Sequence, residues 1–310
     1  MPHKDDAEFK RSRYGSTRMG LEVITDKYLD LFTLTQIDYF FTDVLKDVAR
    51  ERVRMNRRRW RFYQGKHYEQ PIIDGESKFV APYVKAIVDF GVDFLVGLGE
   101  GAPWKTKTPK GNEALGELIE KVWEDNDRDV LAFEMAQTAA ITGDDFVQVT
   151  YEDKYDLEKP VPPDERKLRL ISLDSSYVFP EWSATDKDRM MACLIQYPIF
   201  VDAFDPKSQK RIRQQRVYSQ YVTTETITEW IDQERIREIP NPFGEVNIVR
   251  IKNTPLAGSS YGQSDVDSLI PLNEELDELL ENISEIVEYH AAPVTAIYGA
   301  KASTLEKSAN

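Results

Sequence analysis

Residues 264–290 read SDVDSLIPLNEELDELLENISEIVEYH. Leu269, Leu272, Leu276, Leu279, Ile283, Ile286 and His290 recur at steps of three, four, three, four, three and four. At that spacing the side chains of an α-helix fall on one narrow face. Ser264 and Asp265 stand ahead of the run as helix-capping residues. A helix that lies on its own globular core shows a broader apolar stripe, so the narrow seam suits a partner helix. Glu274, Glu278, Glu281, Glu285 and Glu288 make a second stripe, expected on the opposite side, and no Lys or Arg occurs from Ser264 to His290. Unbalanced acids cost stability in an isolated helix, most of all Glu285 and Glu288 at the end where the helix dipole disfavours them. Burying each Leu or Ile of the seam against a neighbour contributes roughly 1.5–3 kcal/mol. The stretch therefore reads as a long amphipathic helix shared between molecules; packing on its own domain is the alternative.

Working back from this helix, the period falls to two. Leu168–Leu173 is strand-like, and Cys193, Ile195, Tyr197, Ile199 and Val201 alternate in a longer strand. Asp205-Pro206 supplies a turn before Val217–Val222, which makes a hairpin, with Thr226–Ile231 as a third antiparallel strand and Val246–Lys252 as a last one. Pro160, Pro162 and Pro163 stiffen the loop ahead of this region.

The N-terminal half is helical. Ile37, Phe41, Val44, Leu45, Val48, Met55 and Phe62 predict a long helix ending near Gly65, basic in its second half. Further helices are expected from Pro82 to about Phe94, at Leu115, Leu118, Ile119, Val122 and Trp123, and from Val130 to Ile141. The last stops at Gly143, where Asp144-Asp145 lead into the strand FVQVTY. Residues 1–36 read as a flexible arm that cannot bury enough to offset its ordering entropy. The fold class is α+β: a helical N-terminal half, an antiparallel β-rich middle and a long amphipathic helix near the C-terminus.

Composition narrows the functions. The 310 residues are 41% hydrophobic and 30% charged, enough for a core and its coat. A net charge of -14 and a pI near 4.9 oppose non-specific phosphate binding by the chain as a whole. A single cysteine, Cys193, excludes an intrachain disulfide, and with three scattered histidines it makes no zinc site. The most apolar run, Tyr83–Leu98, carries Lys85, Asp89 and Asp93 and is too short and too charged to span a bilayer.

Three motifs invite chemistry. Gly258-Ser259-Ser260-Tyr261-Gly262 matches G-x-S-x-G, the nucleophile elbow of serine hydrolases. Against it, Pro255 and loop residues separate strand from turn, and the only downstream histidine, His290, lies far along the final helix. Gly97-Leu98-Gly99-Glu100-Gly101 has the look of a phosphate loop, but Trp104 stands where a glycine is required and Pro103 removes an amide. The basic stretch Arg50–Lys66, with Trp60, Phe62 and Tyr63 interleaved, could hold phosphate and stack on bases. Its aromatics fall at core-like spacing, so a solvated face, or one paired with a neighbour's acids, fits it better. Arg50, Arg54, Arg57, Arg58 and Arg61 are the candidate contacts for phosphate or for an adjacent subunit.

The order of these segments resembles the portal proteins of tailed bacteriophages. Arg59-Trp60-Arg61-Phe62-Tyr63-Gln64-Gly65, followed by Lys78-Phe79-Val80-Ala81-Pro82-Tyr83-Val84-Lys85-Ala86-Ile87-Val88-Asp89, is similar to that family's opening, with proline in place of a common asparagine. Thr142-Gly143-Asp144-Asp145-Phe146 resembles its small-residue turn. Asn241-Pro242-Phe243-Gly244-Glu245-Val246 with Gly262-Gln263-Ser264-Asp265-Val266 is similar to its passage into a long helix.

The resemblance implies a structural subunit without a cofactor or chemistry of its own. It implies a homo-oligomer, typically a twelve-subunit ring, at the capsid vertex of the virion. Assembly is expected in the host cytoplasm, with double-stranded DNA passing through the channel, and the partners implied are the terminase large subunit, a head-tail adaptor and the major capsid protein, with no membrane. Residues 37–263 would be a wing-like α+β domain, 264–292 the stem-like helix and 293–310 the start of a clip-like region. The family continues beyond such a helix, so the expectation is a chain that holds the wing and first stem helix of a longer subunit. Glu274, Glu278, Glu281 and Glu285 would face the channel, where like charge keeps DNA from sticking; Leu269, Leu272, Leu276, Leu279, Ile283 and Ile286 would pack on neighbours. Two alternatives remain at this point: another homo-oligomeric capsid or tail adaptor, and a hydrolase using Ser260.

Overall fold

The computed structural model describes residues 43–68, 78–97, 112–151, 167–205 and 210–291. The arm at 1–36, the start of the first helix at Ile37 and Phe41, the body of the glycine loop from Leu98 on, the Pro160–Pro163 loop and residues 293–310 lie outside the described residues. The α+β class holds. Helix α1 (Asp43–Tyr63) is followed by α2 (Tyr83–Val96), α3 (Glu113–Asp125) and α4 (Arg128–Thr142). The strands then run β1 (Asp144–Tyr151), β2 (Leu168–Asp174), β3 (Val178–Trp182), β4 (Met190–Asp205), β5 (Lys210–Thr223), β6 (Thr226–Ile231), β7 (Glu234–Pro240), β8 (Ile248–Lys252), β9 (Thr254–Pro255) and β10 (Gly262–Gln263). The long helix α5 (Leu269–Ala291) comes last.

All strand pairing among the described residues is antiparallel. Strands β3 to β7 form a meander in sequence order, because each is joined to the next by a short connection. The expected hairpin and third strand are its centre, with Cys193 opposite Val222 and Thr228 opposite Tyr221. A smaller sheet sets β1 between β2 and β8.

Helix α1 ties the sheets to the helices. Its buried row is Ala49, Val53, Asn56, Trp60 and Tyr63, at steps of four, three, four and three. The sequence pattern put Val48 on the inner face, yet Val48 is exposed: the row lies one residue on, because small Ala49 and Val53 fit against Tyr177, Phe179 and Leu194 of the meander side. Farther along, Trp60, Phe62 and Tyr63 join Val84, Val88 and Val92 of α2, Ala140 and Ile141 of α4, and Val266 and Ile270 at the start of α5. A third cluster, with Phe146, Val178, Cys193, Ile195, Val222 and Ile248, fills the space between the two sheets.

Candidate functional site

The root of α5 is where distant parts of the chain meet. Helix α4 ends at Gly143, whose φ of 93° places it in the left-handed region that favours glycine. A Cβ built there would stand 2.6 Å from the carbonyl oxygen of Gly262, and one on Gly262 would stand 2.3 Å from that of Gly143. Two backbones touch at this point, and both residues must lack a side chain.

The contact is reinforced on each side. The amide of Gly262 donates to both carboxylate oxygens of Asp144 at 3.0 Å, the amide of Asn253 donates to Gly143 O at 3.0 Å, and the Asp265 amide donates to Ala140 O at 3.0 Å. Ser264 Oγ donates to Ile141 O at 2.5 Å and accepts from the Val266 amide at 3.0 Å. Ser264 and Asp265 thus occupy the turn ahead of α5, and the helix begins at Leu269, one turn that tolerates Pro271 because early helical amides need no intrahelical partner.

Arg59 closes this hub. It grips Asp267 with two parallel bonds of 2.7 and 2.6 Å and spends its third nitrogen on Asn56 Oδ1 at 2.7 Å and Thr142 O at 2.8 Å. Planar, two-pronged pairing of this kind fixes direction as well as distance. The basic helix, the small-residue turn and the passage into α5, which the sequence shows as three separate motifs, are one structural joint.

A second, buried polar knot sits one and two turns along α5. Asp277 accepts the Ala81 amide at 2.8 Å through Oδ1, while Oδ2 meets His67 Nδ1 and accepts from Asn273 Nδ2 at 3.2 Å. The His67 ring is stacked on Phe62, with centroids 4.6 Å apart. Ile270, Asn273 and Asp277 are the buried residues of α5, so its inward face is largely polar and is not the seam.

Tyr63 adds a bridge between α1, α2 and α4: its hydroxyl donates to Asp89 at 2.6 Å and accepts from Gln137 at 2.8 Å. Burial, then the Asp89 carboxylate, push its pKa up to about 12. Beneath the joint, Asp145 faces Asp174 across β1 and β2. Burial raises the carboxyl of Asp145 well above the usual range and raises that of Asp174 as well.

The seam residues divide. Leu269 and Leu276 are half-buried, whereas Leu272, Leu279, Ile283 and Ile286 are exposed, the last three at 51, 56 and 58%. The acids are not a free back face. Glu274 pairs with Arg58 at 2.6 Å and Glu281 accepts from the Tyr68 hydroxyl at 2.5 Å, while Glu278 and Glu285 are exposed. Burial, then Glu281, raises the Tyr68 pKa. The acidic stripe therefore borders the face that α5 turns to its own chain.

Arg50 and Arg54 are exposed, with Arg54 3.5 Å from Glu51; Arg57 is half-buried, and Arg61 donates to the Tyr68 carbonyl. The acid that Arg58 finds lies in its own chain. Trp60, Phe62 and Tyr63 have their rings in the core, which removes base stacking from the basic stretch. The G-x-S-x-G segment forms the loop of the β9–β10 hairpin and not a strand-to-helix elbow. Ser260 offers its carbonyl to Arg250, and His290 lies in the last turn of α5, on the order of 30 Å from the start of that helix. Among the described residues no group of His, Cys, Asp and Glu could hold a metal ion, and no helix is long and apolar enough to cross a membrane.

These features define an α+β scaffold that fixes the root of one long helix and presents the remainder of it, the arrangement of a structural assembly subunit. A family model described as phage portal protein, SPP1 Gp6-like, matches residues 43–310, and the chain belongs to that family of bacteriophage portal proteins. Membership implies an oligomeric protein of the capsid vertex, in a family that is structural and serves DNA passage. No curated protein matches the chain.

Proposed function

We propose that this chain is one subunit of a ring, of twelve copies on the family's pattern, that forms the channel for packaging and ejection of double-stranded DNA and catalyses no reaction. The observation that carries this reading is the exposure of Leu272, Leu279, Ile283 and Ile286 on a helix whose root is locked into the wing-like body. An apolar row of that kind is stable in water when another copy covers it. Residues 264–292 act as the stem element and 37–263 as the wing. The exposed acids Glu278 and Glu285 line the channel, where their charge repels phosphate and leaves DNA free to slide, while Glu274 and Glu281, paired with Arg58 and Tyr68, stand at its margin.

The ring docks the terminase large subunit during packaging, then a head-tail adaptor, and sits among copies of the major capsid protein. Electron micrographs of the purified full-length protein test the ring: annular particles with a hole wide enough for duplex DNA are expected, and compact monomers would overturn it. Glu278→Lys with Glu285→Lys tests the channel assignment, since unchanged DNA packaging and retention in the double variant would remove those acids from the lining.

A further inference from the structure

Helix α2 carries a second unpartnered apolar row. Val84, Val88 and Val92 are buried against the body, while Tyr83, Ile87, Phe90 and Phe94, at steps of four, three and four, are exposed, Phe90 at 74% and Phe94 at 87%. Ile87 and Phe90 of this row line a groove of about 590 Å³ together with Leu95 of α2, Ala136 and Ala140 of α4, Gln263 of β10 and Leu269 at the start of α5. Contiguous exposed apolar surface of this extent marks an interaction site.

Helix α3 carries an apolar row of its own that is also partly uncovered. Leu115, Leu118, Ile119 and Val122 lie at the spacing of one helical face, yet none of the 13 residues of α3 is buried. A helix of that length is marginal in water without tertiary packing, and among the described residues its apolar face is covered only in part: Ile119 and Val122 are half-buried, while Leu115 and Leu118 are exposed. The row on α3 spans about 11 Å and the row on α2 about 17 Å at 1.5 Å per residue, so the first fits within the second.

A ring of identical subunits is closed by contacts that join two different faces of each copy. We infer that α3 of one copy lies in the groove between α2 and α5 of the next copy in the ring. This rests on the ring reading and adds to it the residues that meet: Leu118 of α3 beside Phe90 of α2, away from the α5 seam beyond Leu269.

Cysteine pairs test it on the full-length chain, whose Cys193 is buried and serves as the control. Phe90→Cys and Leu118→Cys chains are co-expressed, the rings are oxidised, and the products are run on a denaturing gel. A covalent dimer is expected from the mixture and from neither variant alone, and a ladder of multimers when both substitutions share one chain. A single variant that dimerises by itself would show like meeting like and overturn the inference. Rings that form normally in micrographs without any cross-link in the mixture would also overturn it, while leaving the ring reading intact. Absence of rings in the unmodified chain would bring down the ring reading itself. Leu118→Asp gives a second readout, with a folded chain and at least tenfold fewer rings expected; undiminished rings would count against the inference.

Discussion

The first and second halves of α5 share one composition and one heptad rhythm, yet they live in different surroundings. The first half sits in polar joints made by residues that are far away in sequence, with His67 and Asp277 lying 210 positions apart. The second half, from Leu279 onward, is exposed along its apolar row. Beyond Leu269, which packs on the core, and half-buried Leu276, the apolar seam does not hold this helix to its own subunit. Buried polar pairs aim the helix together with Ile270 in the apolar core, and Leu279, Ile283 and Ile286 are left exposed. A division of this kind suits a subunit that must fold before it assembles.

Substitutions in the joint should cost the subunit most. Gly143→Ala puts a methyl group against the Gly262 carbonyl at a backbone angle alanine disfavours, and a loss on the order of 3–5 kcal/mol is expected in urea unfolding of the chain. An alanine variant of normal stability would mean that the two backbones are not in contact. Asp277→Ala is the next largest: it leaves the His67 ring and the buried Ala81 amide without their acceptor, for roughly 2–5 kcal/mol. By contrast Ile283→Ser, in the exposed half, should change the stability of the unassembled chain by no more than about 0.5 kcal/mol while weakening assembly.

A modest further effect is a pH dependence beneath the joint. Asp145 and Asp174 bind protons more tightly in the folded chain than in the unfolded one. The cost of ionising them is absent below the ordinary aspartate pKa of about 4 and grows as pH rises through their elevated values, so they lower stability toward neutral pH. Asp145→Asn should therefore raise the melting temperature by a few degrees at pH 7, with the gain shrinking toward pH 4. A gain that is equal at both pH values would assign the effect to packing and not to ionisation.

Much of the exposed half was legible in the sequence, because a heptad seam announces itself in consecutive residues and needs no knowledge of the rest of the chain. The centre of the meander was legible for the same reason: Thr226–Ile231 is a strand at the bounds its alternation predicts. The joint was not. Asn56, Asn273 and Asp277, which are buried, and Arg59, which is half-buried, are polar residues that read as surface, and only the fold supplies their partners. The motif holding Gly143 reads as a small-residue turn and that holding Gly262 as a glycine-rich loop opening a helix, but nothing in either one announces the other. Strand β7, Glu-Arg-Ile-Arg-Glu-Ile-Pro, escaped notice because an edge strand carries charge on its open side and ends on proline. Strand β3 escaped because it follows a three-residue turn with no glycine to mark it.

On the ring reading, the outer half of α5 belongs to the assembly and its root to the subunit. Native mass spectrometry of the full-length chain, unmodified and with Leu279, Ile283 and Ile286 all changed to serine, tests it most directly. A ring of many copies for the unmodified chain, and a folded monomer for the triple variant, is the result predicted. A triple variant that still forms the ring, or one that cannot fold as a monomer, would contradict it.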